Sequence, residues 1–122
     1  MTISDKISIS IIIPVYNGAL LLRRCLDSVF GQTGIFHLDV IVIDDGSTDN
    51  SVEVIEARPQ TIKPLRQSNQ GPAAARNKGI ETATGKYLAF LDADDYWLPD
   101  FLKETVRFLE ENQEANAVSV GQ

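Results

Sequence analysis

Cysteine is nearly absent from this 122-residue chain, which carries one, Cys25. That excludes an internal disulfide and fits a reducing compartment such as the cytoplasm. Positive charge is scarce: 11 Lys and Arg stand against 17 Asp and Glu, for a net charge of −6. A nucleic-acid-binding surface needs clustered Lys and Arg, so no nucleic-acid partner is expected. Long apolar runs are missing too. The longest, Ile9 to Val15, is broken by Ser10 and Pro14 and is far short of the ~20 residues that span a bilayer. Met1 to Lys6 is polar and lacks the layout of a signal peptide. The single histidine, His37, sits in a loop before a predicted strand with no partner motif nearby, and reads as an incidental surface side chain. Cys25 falls on the apolar face of a predicted helix and reads as core filling. No repeat or low-complexity segment stands out.

What is present is ordinary globular material, 43% hydrophobic and 23% charged. A chain of this length suits one domain and buries roughly two-thirds of its unfolded surface. Residues 1–122 are therefore read as a single domain. Short apolar runs alternate with helical patterns, which predicts βαβ units and a parallel sheet.

Ile7 to Ile13 is the first strand, closed by Pro14, and Val15-Tyr16-Asn17-Gly18 is a loop at its carboxyl end. A helix follows over Ala19–Phe30, where Leu22, Cys25, Leu26, Val29 and Phe30 keep the i, i+3, i+4, i+7, i+8 spacing. Gly31 is a natural stop. Leu38 to Ile43 is the second strand and runs into Asp44-Asp45-Gly46-Ser47-Thr48-Asp49. A short helix over Asn50–Ala57 is capped by Asp49 or Ser47. A third strand is expected at about Ile62–Gln67, between Pro59 and Pro64. Pro72 opens a helix that ends near Thr84-Gly85. Its Ala73, Ala74 and Ala75 permit close approach to a neighbour or ligand. Tyr87 to Leu91 is the fourth strand, and its unbroken apolar run reads as a strand covered on both faces. A last helix spans about Pro99–Glu111, with Leu102, Val106 and Leu109 inward. Ala117 to Val120 looks like a fifth strand. Stopping three or four residues into it would leave an open sheet edge and favour self-association.

The chemistry gathers at strand ends. The fourth strand runs straight into Asp92-Ala93-Asp94-Asp95. Like charges about 4 Å apart repel by roughly 1 kcal/mol in water and about 4 at an effective dielectric of 20. A hard cation, Mg2+ or Mn2+, would turn that repulsion into attraction. With the first, second and fourth strands side by side, one crevice would hold Tyr16, the Asp44-Asp45 pair and Asp92, Asp94 and Asp95. Arg76 would reach it from the third helix. An aromatic ring to stack on a base, carboxylates for a base N–H or ribose, and a metal plus an arginine for phosphates are what a nucleotide diphosphate requires. Singly, each has a plainer role as a packing tyrosine, a turn and cap, or a solvated charge. Their common sheet edge is the argument.

Four blocks also carry a family resemblance. They are Ile11-Ile12-Ile13-Pro14-Val15-Tyr16-Asn17, Val42 through Asp49, Asn69 through Asn77, and Phe90-Leu91-Asp92-Ala93-Asp94-Asp95. In order and spacing the chain, from about Ser8 onward, resembles the family 2 glycosyltransferases. The resemblance implies a GT-A fold: an α/β, Rossmann-like nucleotide-binding half, mostly parallel in its sheet, with helices on both faces. It implies that Pro14, Val15 and Tyr16 lie against the base, that Asp45 takes the base N–H, and that Asp44 supports the loop or ribose. Arg76 would lie near the donor phosphates. Asp92-Ala93-Asp94 matches the family's Asp-x-Asp motif, with Asp94 the direct ligand of Mn2+ or Mg2+, Asp92 nearer the ribose and sugar, and Asp95 outside them. The implied activity is metal-dependent, inverting transfer of a sugar from a nucleotide donor, usually UDP-linked. The acceptor, saccharide or lipid, is open. Many relatives work at the cytoplasmic face of a membrane.

The departure from the family is length. Relatives carry a second half with the acceptor site and an acidic general base. Asp100, Glu104, Glu110, Glu111 and Glu114 follow the motif on a helix expected to lead away from the crevice, so no catalytic base is assigned. The chain reads as a donor-binding half, inactive by itself. A nucleotide-sugar-binding module without catalysis is the nearest alternative. A receiver domain needs an acidic pair after its first strand, and a nucleotidyltransferase a glycine-rich basic loop there; Pro14-Val15-Tyr16-Asn17 is neither.

Overall fold

The computed structural model describes residues 6–114. Its elements run β1 (Ile7–Val15), α1 (Ala19–Phe30), β2 (Phe36–Asp44), α2 (Ser51–Glu56), β3 (Lys63–Arg66), α3 (Pro72–Thr82), β4 (Tyr87–Phe90) and α4 (Phe101–Glu111). The strands form one sheet in the order β3-β2-β1-β4. All pairings among the described strands are parallel. The expected strand at Ala117–Val120, and the open edge it would create, lie outside the described residues.

Alternation along the strands divides the core. Ile9, Ile11, Ile13 and Val15 of β1, with Val40 and Val42 of β2, face α1, α2 and α4. Ile12, Ile41 and Ile43 face the other way, against Ala75 of α3. Helices therefore cover both faces. Each isoleucine so enclosed contributes about 1.5–3 kcal/mol. α3 sits very close because of Gly79, where a Cβ would meet Ile12 Cγ2 at 2.6 Å and Ile43 Cδ1 at 2.9 Å. Below them, the buried Asp39 carboxylate accepts from Ser10 Oγ at 2.6 Å, from the Thr84 backbone N–H at 3.1 Å and from Lys63 Nζ at 2.7 Å. It ties β1, β2, β3 and the approach to β4 together.

Four expectations need correction. β1 does not close at Pro14 but pairs with β2 through Val15. Its pairing with β4 ends at Ile12 and Phe90, and the Leu91 N–H donates to the Ile12 carbonyl at 3.1 Å. Groups two residues apart on a strand point the same way, so Pro14 turns its missing N–H toward the side that β4 has already left. Pro64 likewise lies inside β3 rather than bracketing it, because β3 is an edge strand where a lost donor faces outward. Among the described residues β4 is outermost on the other side. Its Tyr87 and Ala89 pack inward, but Leu88 and Phe90 are 45% and 46% exposed, so it is covered on one face only. His37 lies within β2, not before it, and is exposed.

Candidate functional site

Because every strand is parallel, the loops after β1, β2 and β4 emerge at one end of the sheet. They meet the start of α3 in an open cleft of about 500 Å³. Of the residues singled out in the sequence, Pro14, Val15, Tyr16, Asp45, Arg76, Asp92, Ala93 and Asp94 line it. Asn17, Gly18, Leu20, Leu21 and Pro72 line it too and were not anticipated. Asp44 does not line it.

The first two loops are sewn together. Asn17 takes a left-handed φ of 50°, a conformation asparagine tolerates better than most residues. Its Oδ1 accepts from the Thr48 N–H at 2.7 Å, while its own N–H donates to Ser47 Oγ at 2.9 Å. The first N–H groups of a helix have no partner within it. Those of α1 are met from the neighbouring loop: Gly18 N–H donates to Ser51 Oγ and Ala19 N–H to Asp49 Oδ2. Asp49 also accepts from the Ser51 N–H at the start of α2. The bonds from Ser51 first, against burial, and then from Ala19 hold its carboxyl below the ordinary value. The only advance sign of this was Asn17-Gly18, a pair suited to a tight turn.

Asp44 and Asp45 point to different places. Asp44 is buried; its Oδ1 accepts from the Ser47 N–H at 3.2 Å. Its Oδ2 lies 3.4 Å from Arg66 Nε without a hydrogen bond, so that contact is purely electrostatic. Asp45 faces the cleft but is occupied. Gln67 Nε2 and the Gln70 N–H each donate to Oδ1 at 2.8 Å, and the Gly71 N–H donates to Oδ2 at 2.9 Å. Burial pushes its pKa up, yet these three donors prevail and hold it below the usual carboxylate range. A carboxylate has about four acceptor positions, so three donors leave one unfilled. Gly71 enters α3 at φ 97°, which glycine alone accepts freely.

On the far side, Asp92, Asp94 and Asp95 each offer a carboxylate oxygen, all within 4.8 Å of one another. Arg76 Nη2 reaches across from α3 to Asp92 Oδ1 at 3.2 Å. Three oxygen donors at this spacing fit a hard divalent cation; Asp92 and Asp94 line the cleft and Asp95 stands behind them. Beneath lies Cys25, fully buried. Burial first, then the charges of Asp95, Asp92 and Asp94, push its thiol up to about 12. It is packing, not a nucleophile.

Two of the carboxylates that follow the motif are engaged elsewhere. Glu110 pairs with Lys86 at 2.8 Å and accepts from Tyr87 Oη, at the opposite end of β4 from the cleft. Asp100 accepts from Thr33 Oγ1 beyond the end of α1.

Comparison with known proteins points one way. An uncharacterised glycosyltransferase of Nostoc sp. is 48% identical over 102 residues, covering 80% of this chain and 31% of its own. S. aureus TarS 1–349, crystallised in complex with UDP, superimposes with a TM-score of 0.83 at 28% identity, over 95% of this chain and 38% of that one. The mannosyltransferase PcManGT of Pyrobaculum calidifontis, in complex with GDP-Man and Mn2+, gives 0.75 at 30% identity, over 83% and 32%. The chain thus spans about a third of the length of these three proteins, and as little as 15% of other relatives. The fold is that of the GT-A glycosyltransferases. The family model for glycosyl transferase family 2 matches residues 10–121, and the chain belongs to that family.

Proposed function

We propose that this chain is the donor-binding portion of a longer enzyme that transfers a sugar from a nucleotide diphosphate, a UDP-sugar, to an acceptor hydroxyl. The observation that carries this is the meeting of Tyr16, Asp45, Arg76, Asp92 and Asp94 in one cleft at the carboxyl end of a parallel sheet. The nucleotides bound by TarS and the archaeal mannosyltransferase support it.

Tyr16, 53% exposed in the cleft wall, offers its ring to the base beside Pro14 and Val15. Asp45 has one acceptor position left for a base N–H. Asp44 acts indirectly, by bracing the Ser47 turn. Arg76 already stands in the cleft and offers its guanidinium to the phosphates. Asp92 and Asp94 would hold Mn2+ or Mg2+, with Asp95 behind. A bound cation would neutralise charge developing on the diphosphate leaving group. In the reaction the acceptor oxygen bonds to the anomeric carbon, the bond from that carbon to the diphosphate breaks, and the configuration inverts. The hydroxyl proton goes to a base, an aid typically worth 10²–10⁴-fold. We place that base in the further length that the relatives possess, since Glu110 and Asp100 are engaged away from the cleft. The acceptor, a saccharide or a lipid, is bound there too. Among the described residues no helix is long and apolar enough to cross a membrane. We place the enzyme in the cytoplasm, at the inner face of the membrane when the acceptor is a lipid.

The test is calorimetric titration of UDP into the folded protein with Mn2+, then with EDTA. The expected result is binding that needs the metal and is lost in Asp94→Ala. Equal binding with and without metal would overturn the assignment of Asp94, and no binding to folded protein would overturn the donor site.

A further inference from the structure

One face of α1 is spaced to hold the segment that follows β4. Arg24 and Ser28 stand four residues apart on α1 and so share a stripe, and Gln32 follows two residues beyond its end. Arg24 Nη2 donates to the Asp94 carbonyl at 2.9 Å. Ser28 Oγ accepts from the Trp97 N–H at 3.1 Å. Gln32 Nε2 donates to the Leu98 carbonyl at 2.7 Å, and its Oε1 accepts from the Leu102 N–H at 2.9 Å. The Arg24 guanidinium also lies over the Tyr96 ring, 4.5 Å from its centroid.

Residues 92–98 belong to no helix or strand, and the last rung to β1 is made by Leu91. Within them, a turn closed by the Asp95 N–H on the Asp92 carbonyl, at 3.0 Å, carries both cleft-facing carboxylates. Helix α1 is anchored independently, by four fully buried side chains. It is the rigid body against which the loop is registered.

We propose that Arg24 is a positioning residue for the metal ligands: by pinning the Asp94 carbonyl it sets where the Asp92 and Asp94 carboxylates point before an ion arrives. The proposal rests on the reading of those two residues as metal ligands. It also makes a signed prediction. Arg24 is a cation beside a cation site, so charge alone says that removing it tightens metal binding. Positioning says that removing it weakens binding, because groups that orient ligands are commonly worth 10–100-fold in metal affinity.

The experiment is titration of Mn2+ into the purified protein, followed by the electron paramagnetic resonance of free Mn2+, with circular dichroism to confirm the fold. Arg24→Met is expected to bind about tenfold more weakly. Arg24→Lys, which keeps a donor of similar reach, should recover part of the loss. Arg23→Met, its exposed neighbour, removes the same charge without touching the loop and should bind no more weakly than the parent. Arg24→Met binding Mn2+ as tightly as the parent, or more tightly, overturns the proposal while leaving the metal site intact. A parent that does not bind Mn2+ overturns the metal reading and this proposal with it. Should Arg24→Met not fold, Ser28→Ala serves: weaker Mn2+ binding supports the strap, and unchanged binding overturns it.

Discussion

Replacing Asp39 by asparagine should remove a specific part of this protein's acid sensitivity. The carboxylate has a side chain only 5% exposed and is bonded by Lys63, Ser10 and Thr84. Burial alone would raise its pKa, but those partners bring it down from 3.8 to about 2. The folded protein thus holds this proton less readily than the unfolded chain does. The stabilisation is complete above the unfolded value and is lost as the pH falls from about 4 to about 2. At 1.36 kcal/mol per tenfold difference in proton affinity, the gap corresponds to roughly 2 kcal/mol. The assay is urea unfolding between pH 2 and pH 6, followed by fluorescence of Trp97, which is buried and stacked on Phe101. Between pH 4 and pH 2 the parent should lose roughly 2 kcal/mol more than Asp39→Asn. Parallel losses would refute the reasoning, by showing that this carboxylate titrates alike in both states.

Two further outcomes are expected. Cys25, with its thiol at about 12, should resist iodoacetamide at pH 8 in the folded protein and react once unfolded; rapid labelling of folded protein would contradict the burial. Asp45→Asn presents at most one accepting oxygen to three donors, at a local cost of about 1–3 kcal/mol. Hydrogen exchange at Gln70 and Gly71 should quicken and UDP should bind more weakly, whereas unchanged exchange would show that Asp45 is not the anchor of that loop.

Helix α1 was legible to its ends, because its apolar stripe repeats cleanly over three turns. The cleft was legible from acids and an aromatic at strand ends, since parallel strands deliver their loops to one side whatever lies between. Edges were not legible. The run Tyr87-Leu88-Ala89-Phe90 is equally apolar whether one face is covered or two, and only topology places β4 outermost. Nor could pairing across distance be read. Asp44 and Asp45 are adjacent and identical, yet Asp44 accepts from Ser47 three residues on and lies beside Arg66, while Asp45 accepts from Gln67, Gln70 and Gly71. The closeness of α3 was read from its alanines, of which Ala75 does pack on the sheet, but the contribution of Gly79 was missed. The strap from Arg24 to the loop after β4 gave no local sign, since a charged residue on an exposed helix face looks the same with or without a distant carbonyl to hold.

Pro14 gives the cleft its opening. Parallel strands tend to zip until one runs out of donors or residues. Here the central strand presents a blank where the next bond to β4 would form, so the two chains part while β1 and β2 stay joined for three more residues. The fork thus coincides with an imino acid that has no donor to offer on that side. Any residue with an N–H at this position would offer β4 a further rung, and each rung taken would draw Leu91 and Asp92 inward and narrow the mouth. A proline inside a central strand acts here as a stop for its neighbour instead of for itself.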